Sequence, residues 1–167
     1  AAGDASMVHH QPNNPNDIHR AQMALVACPV GAIGSEIKID SRPAVAAFPD
    51  PIEDEVSHCG YHAAGSYGAT SYFIQRPNGN VLVDSPRFAR ALVKRLEDLG
   101  GVDIMYLTHR DDVADHDKFA AHFGCQRIIH ADDAVGGLRA VETKLSGTDP
   151  VSLDDDLTII PVPGHTR

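Results

Sequence analysis

Thr108-His109-Arg110-Asp111-Asp112-Val113-Ala114-Asp115-His116 is the densest run of donor side chains in this 167-residue chain. It follows a short apolar stretch, residues 104–107, and leads into a segment that carries Phe119 and Phe123 and stops at Gly124. The apolar stretch reads as a buried strand and the spaced aromatics as a helix. Two imidazoles and three carboxylates therefore stand where a strand hands over to a helix. That edge is where α/β sheets present ligands from a rigid frame. Nitrogen and oxygen donors of these kinds suit Zn²⁺ or Fe²⁺. The same run also reads as a solvated acidic loop, with Asp115 capping the helix and His116 exposed in its first turn.

A second element, Pro161-Val162-Pro163-Gly164-His165-Thr166, follows an apolar strand over residues 157–162. Its glycine permits a tight turn that presents an imidazole at a strand end. Upstream, residues 70–74 and 81–83 are β-rich runs separated by Asn78-Gly79, a hairpin signal, and the second run ends in Asp84. Three strands thus end in Asp84, His109 and His165. A helix with Phe88, Leu92, Leu96 and Leu99 on one face lies between them and stops at Gly100. A further strand is expected over 126–130. Strands alternating with helices after an opening hairpin indicate an α/β domain.

The N-terminal part is different. Residues 1–15 are polar and read as loop. A helix capped by Asp17 carries Ile18, Ala21, Leu25 and Cys28 at helical spacing until Pro29, and a short strand is expected over 36–39. Residues 41–51 hold three prolines and read as a linker, which divides the chain into residues 1–45 and 46–167. A net charge of −9 argues against a nucleic-acid partner, and no apolar run is long enough to cross a bilayer. Three widely spaced cysteines are not a disulfide framework, so a reducing compartment is expected: cytoplasm, or plastid stroma in a plant or alga.

From Ser66 onwards the chain resembles the first half of the metallo-β-lactamase fold, an αββα sandwich also used by glyoxalase II. Gly68-Ala69-Thr70-Ser71-Tyr72-Phe73-Ile74 resembles its opening hairpin strand. Val81-Leu82-Val83-Asp84-Ser85 resembles its strand ending in Asp, and Pro163-Gly164-His165-Thr166 its Pro-Gly-His-Thr turn. The run from His109 to His116 takes the place of the signature H-x-H-x-D-H, with Asp111 where the second His stands and a loop two residues longer. The resemblance implies His109, Asp111 and His165 as ligands of a first metal, and Asp115 and His116 as ligands of a second. Asp115 would also orient the nucleophile, and Asp84 would support the ligands from behind. Arg110 and Asp112 read as solvated loop charges. Two further ligands of the family lie beyond the Pro-Gly-His-Thr turn, so the chain is expected to be a piece of a longer protein.

Ala27-Cys28-Pro29-Val30-Gly31-Ala32-Ile33 resembles the closing cysteine motif of the ferredoxin-like segment that one subgroup carries before the hydrolase domain. A 4Fe–4S cluster needs four thiolates. Cys28 would supply one, with the others in the full-length protein. His58-Cys59-Gly60-Tyr61-His62 has suitable donors but reads as loop near the cleft. His9, His10, His19, His122 and His130 are scattered and read as surface positions.

What the resemblance implies is a hydrolase using hydroxide on one or two Zn²⁺ ions, or iron, against a small-molecule ester, thioester, lactam or phosphoester. Two rivals are an iron-dependent redox protein on the same fold, with a redox partner, and a non-catalytic member whose metal site has decayed.

Overall fold

The computed structural model describes residues 8–166. Its centre is a seven-stranded sheet whose strands lie side by side in chain order. The strands are β1 (Asp50–Glu53), β2 (Val56–His58), β3 (Tyr72–Ile74), β4 (Val81–Val83), β5 (Ile104–Tyr106), β6 (Gln126–His130) and β7 (Thr143–Leu145). From β1 to β4 neighbours are antiparallel, and from β4 to β7 they are parallel. The switch follows from the connections. A short turn joins β3 to β4, whereas α3 (Arg90–Asp98) and α4 (His116–Phe123) carry the chain back for the parallel strands. Asn80 and Asp103 lock the starts of β4 and β5 together: the Asn80 N–H donates to the Asp103 carboxylate at 2.8 Å. Gly79 precedes it at φ +108°, and a Cβ there would stand 3.0 Å from Asp103, so both backbone and space require glycine.

Phe73, Leu82 and Met105 pair across β3, β4 and β5 and are fully buried. They share one apolar cluster with Leu92 and Leu96 of α3 and Phe119 of α4. Each such side chain contributes about 1.5–3 kcal/mol by leaving water. Met23 and Ala27 of α1 (Pro15–Ala27) belong to the same cluster, so the core runs on from the N-terminal helix into the sheet. A two-stranded ribbon, β8 (Val151–Ser152) with β9 (Thr158–Ile159), follows. The buried Arg76 guanidinium fastens it by pairing with Asp154 and Asp156.

The α/β reading holds, and residues 126–130 form the strand expected there. Four local expectations differ. The cap of α1 is Asn14, whose side chain accepts from the Asp17 N–H at 3.0 Å, and Pro15 opens the helix. Residues 36–39 form no strand, since Gly34 and the exposed Ile37 give them nothing to pair or pack with. The linker is ordered: Arg42–Ala46 forms a short helix, α2, which buries Ala44, and Asp50 already belongs to β1. The strand expected over 157–162 shrinks to Thr158–Ile159, because Pro161 and Pro163 cannot donate to a ladder. No helix among the described residues is long and apolar enough to cross a membrane.

Candidate metal centre

Asp84 ends β4 in the left-handed region, at φ +57°, which turns its carboxylate towards the neighbouring strand end. Its Oδ1 accepts from the Thr108 N–H at 2.8 Å and from Thr108 Oγ1 at 3.0 Å. Burial pushes this carboxyl up to about 6, against the pull of the Thr108 bonds. Thr108 Oγ1 also lies 2.9 Å from His109 Nδ1. A hydroxyl has one proton to give, and the Asp84 carboxylate accepts it. His109 Nδ1 is then the donor to Oγ1, and the lone pair is left on Nε2. Asp84, Thr108 and His109 thus form a relay that sets the ring for ligation.

His109 Nε2 faces three groups. Asp111 Oδ2 is 3.9 Å away and Asp112 Oδ2 3.8 Å. The His165 ring stands edge-on to the His109 ring, with the two ring centroids 5.0 Å apart, and His165 Nε2 is 3.4 Å from Asp111 Oδ2. One donor atom each from His109, Asp111 and His165 lies within 4.8 Å of the other two. Ligands of a tetrahedral ion at roughly 2.0–2.1 Å stand about 3.3 Å apart, so a small contraction would close this set around a cation. Thr166 secures the turn bearing His165 by donating to the buried Asp133 carboxylate at 2.8 Å. Arg110 reaches the same carboxylate from the loop at 3.7 Å, so it is a tether rather than a free charge.

Asp115 and His116 are set apart from this group. Asp115 stands at the N-cap of α4 at φ +57°. Its Oδ2 accepts the Phe88 N–H at 2.9 Å and its Oδ1 pairs with Lys118. Burial raises its carboxyl, but Lys118 and Phe88 outweigh that and hold it below the ordinary range. His116 Nδ1 is 3.1 Å from Arg127 Nη1, and a guanidinium only donates, so the ring proton sits on Nε2. Burial, then the Arg127 charge, lowers its basicity. Asp112, read from the sequence as a solvated loop charge, instead stands largely buried beside His109. Burial raises its carboxyl, with His109 opposing.

Two buried serines hold that longer loop. Ser66 Oγ accepts the Ala114 N–H at 2.9 Å, and Ser85 Oγ donates to the Ala114 carbonyl. Ser85 N–H also donates to the Asp112 carbonyl at 3.0 Å. Sequence reading missed Thr108, Ser66 and Ser85, and only the adjacency of Ser85 to Asp84 hinted at them.

Cys28 follows α1, and its Sγ accepts from the Ala32 N–H at 3.2 Å. Backbone N–H groups of Val30 and Ala32 hold the thiol below its ordinary value. A thiolate cradled by amides is a suitable cluster donor. Cys59 and Cys125 are buried, and burial pushes both thiols up, so neither joins it.

Known proteins match this arrangement in two ways. A family model for the 4Fe–4S single cluster domain of ferredoxin I matches residues 1–35. Among solved structures, a subclass B3 metallo-β-lactamase of Bradyrhizobium japonicum aligns with 68% of this chain and 51% of its own, at 19% identity and TM-score 0.50. A class B3 di-zinc metallo-β-lactamase from an Alaskan soil metagenome aligns with 80% of this chain and 59% of its own, at 16% identity and TM-score 0.52. No curated protein matches the sequence. The chain has the metallo-β-lactamase fold. It spans between half and three-fifths of the length of these two structures, and its first residues match the ferredoxin model.

Proposed function

We propose that this chain is the metal-binding part of a hydrolase that acts on an ester, thioester, lactam or phosphoester. The observation that carries the reading is the convergence of donor atoms from His109 and Asp111, in the loop after β5, and from His165, in the turn after β9. His109 and His165 would hold the ion through Nε2 and Asp111 through a carboxylate oxygen, with Asp112 beside them. A divalent ion so held supplies a water of pKa about 7 and polarises a carbonyl or phosphoryl oxygen. The chain's own contribution is orientation. Asp84 and Thr108 fix the His109 tautomer, the serine pair holds the loop, and the Asp112 carboxylate stands ready to accept a proton. Residues 1–45 would be the end of a ferredoxin-like segment plus linker, and residues 46–167 the first part of the hydrolase domain.

Metal analysis of the full-length protein tests this. One zinc equivalent lost with hydrolysis in His109→Ala and His165→Ala is the expected result. Full metal content in both variants would overturn it. A second equivalent lost in Asp115→Ala or His116→Ala would return those residues to the ligand set. A redox reading of the same site is favoured by the ferredoxin match at residues 1–35. Bound iron with reversible reduction, in place of zinc with hydrolysis, would select it.

A further inference from the structure

The sequence places two imidazoles four residues apart in His58-Cys59-Gly60-Tyr61-His62, and the fold brings them together with their rings tilted at 58°. His58 ends β2, two strands in from the β4 edge of the parallel half. Gly60 at φ +60° and Tyr61 at φ +46° then turn the chain back on itself. The result is a distance of 3.0 Å between His58 Nε2 and His62 Nε2, with ring centroids 5.3 Å apart. Phe48 braces the turn from below, edge-on to His58 at 5.7 Å and to Tyr61 at 5.6 Å. A Cβ on Gly60 would stand 2.4 Å from the Phe48 ring, so the turn is built around that contact.

We infer that His58 and His62 form a second site for a divalent transition-metal ion, separate from the His109 centre and built on two nitrogen donors. Two nitrogens on one tetrahedral ion stand about 3.3 Å apart, which this pair reaches by opening a few tenths of an ångström. Asp50 is the cross-strand partner of His58, so the two side chains share one face of the sheet. Its carboxylate pairs with Arg20 of α1, and its negative charge favours positive charge at His58 without being a ligand. Burial disfavours the charged form of both imidazoles and keeps them in the neutral state that ligates. Cys59, between them, points into the core and stays a thiol, so it is not a donor.

Without a cation, one ring donates its Nε2 proton to the other. Binding moves that proton to Nδ1 of the donor ring, a tautomer change that releases no proton and frees both Nε2 lone pairs. Water completes the coordination. The His62 N–H donates to the Ala27 carbonyl at 3.1 Å, so an ion here ties the end of β2 to the last turn of α1.

The test uses full-length protein carrying His109→Ala and His165→Ala, titrated with Co²⁺ and followed by visible absorption, then with Zn²⁺ by equilibrium dialysis. One equivalent of each ion is expected to bind in that background. His58→Gln or His62→Gln should weaken binding by more than roughly tenfold, the lower end of losses seen when only an outer-shell partner is removed. Asp50→Asn should weaken it less. Circular dichroism controls for folding, and if the double-alanine background is unfolded, the same glutamine changes in the unaltered protein should lower metal stoichiometry by one. Stoichiometry unchanged by either glutamine variant, or a folded background that binds no ion, overturns the inference.

Discussion

Ser66→Ala probes how the loop at the metal centre is held. Ser66 is 1% exposed, and its Oγ is the acceptor for the Ala114 N–H at 2.9 Å. Alanine fits the space but leaves that N–H without a partner. An unpaired polar group costs about 1–3 kcal/mol when fully buried, and Ala114 is only half-buried, so about 1–2 kcal/mol is expected. The loop carries Asp111 and Asp112. If the whole loss falls on its bound conformation, 1–2 kcal/mol corresponds to a roughly 5- to 30-fold weaker metal affinity. Urea unfolding of metal-free protein gives the first quantity and zinc titration the second. Ser85→Ala should behave alike, because Ser85 donates to the carbonyl of the same residue, Ala114. The double variant should cost less than the sum, since both changes release the same residue, Ala114. Ser66→Ala indistinguishable from wild type in both assays would refute the reasoning.

Two substitutions in the loop separate a ligating from a structural role, and two elsewhere probe the fold. Asp112→Ala should reduce zinc affinity, read by competition with a chromophoric chelator. Asp115→Ala should leave affinity intact and lower the melting temperature, because it frees the Phe88 N–H and Lys118. Gly60→Ala forces a side chain into the left-handed region and into the Phe48 ring, and should cost about 2–4 kcal/mol in denaturant unfolding. Glu142 is pulled down to about 2 by its hydrogen bonds to Arg127, below the 4.5 of an ordinary glutamate. That pairing stabilises the fold above pH 4.5 and is lost as pH falls towards 2, so Glu142→Gln should flatten the acid limb of a stability–pH curve between those values. Because the carboxylate is half-exposed, solvent screening keeps the effect small, and an unchanged limb would place the shift elsewhere.

The parallel half of the sheet was legible because buried strands such as Gln126–His130 and amphipathic α3 carry strong periodic signals. The strand-end positions of Asp84 and His109 followed from the same signals. The N-terminal half was less legible, since α2 is five residues long and holds a proline that reads as a breaker but here opens the helix. The neighbourhood of Asp112 and Asp115 was illegible for a different reason. A loop's length says how many residues it has, not which of them turn inward, and here serine hydroxyls from two distant segments decide that. The pairing of His58 with His62 depends on two consecutive left-handed residues, one of them a tyrosine, which no propensity suggests.

The strands of the main sheet lie in the order in which they are synthesised. Each new strand can therefore join an edge that its predecessor has already made, and no slot has to be left open for a later segment. Growth on the ribosome can proceed as lateral addition, with short loop closures at every step. The relay from Asp84 to His109 is complete once β5 has docked, some fifty residues before His165 emerges. During translation the half-built centre would present His109, Asp111 and Asp112 to the surrounding ion pool before the turn that covers them exists. On the proposed ligand set, an ion would meet the nascent loop first, and His165 would join it later.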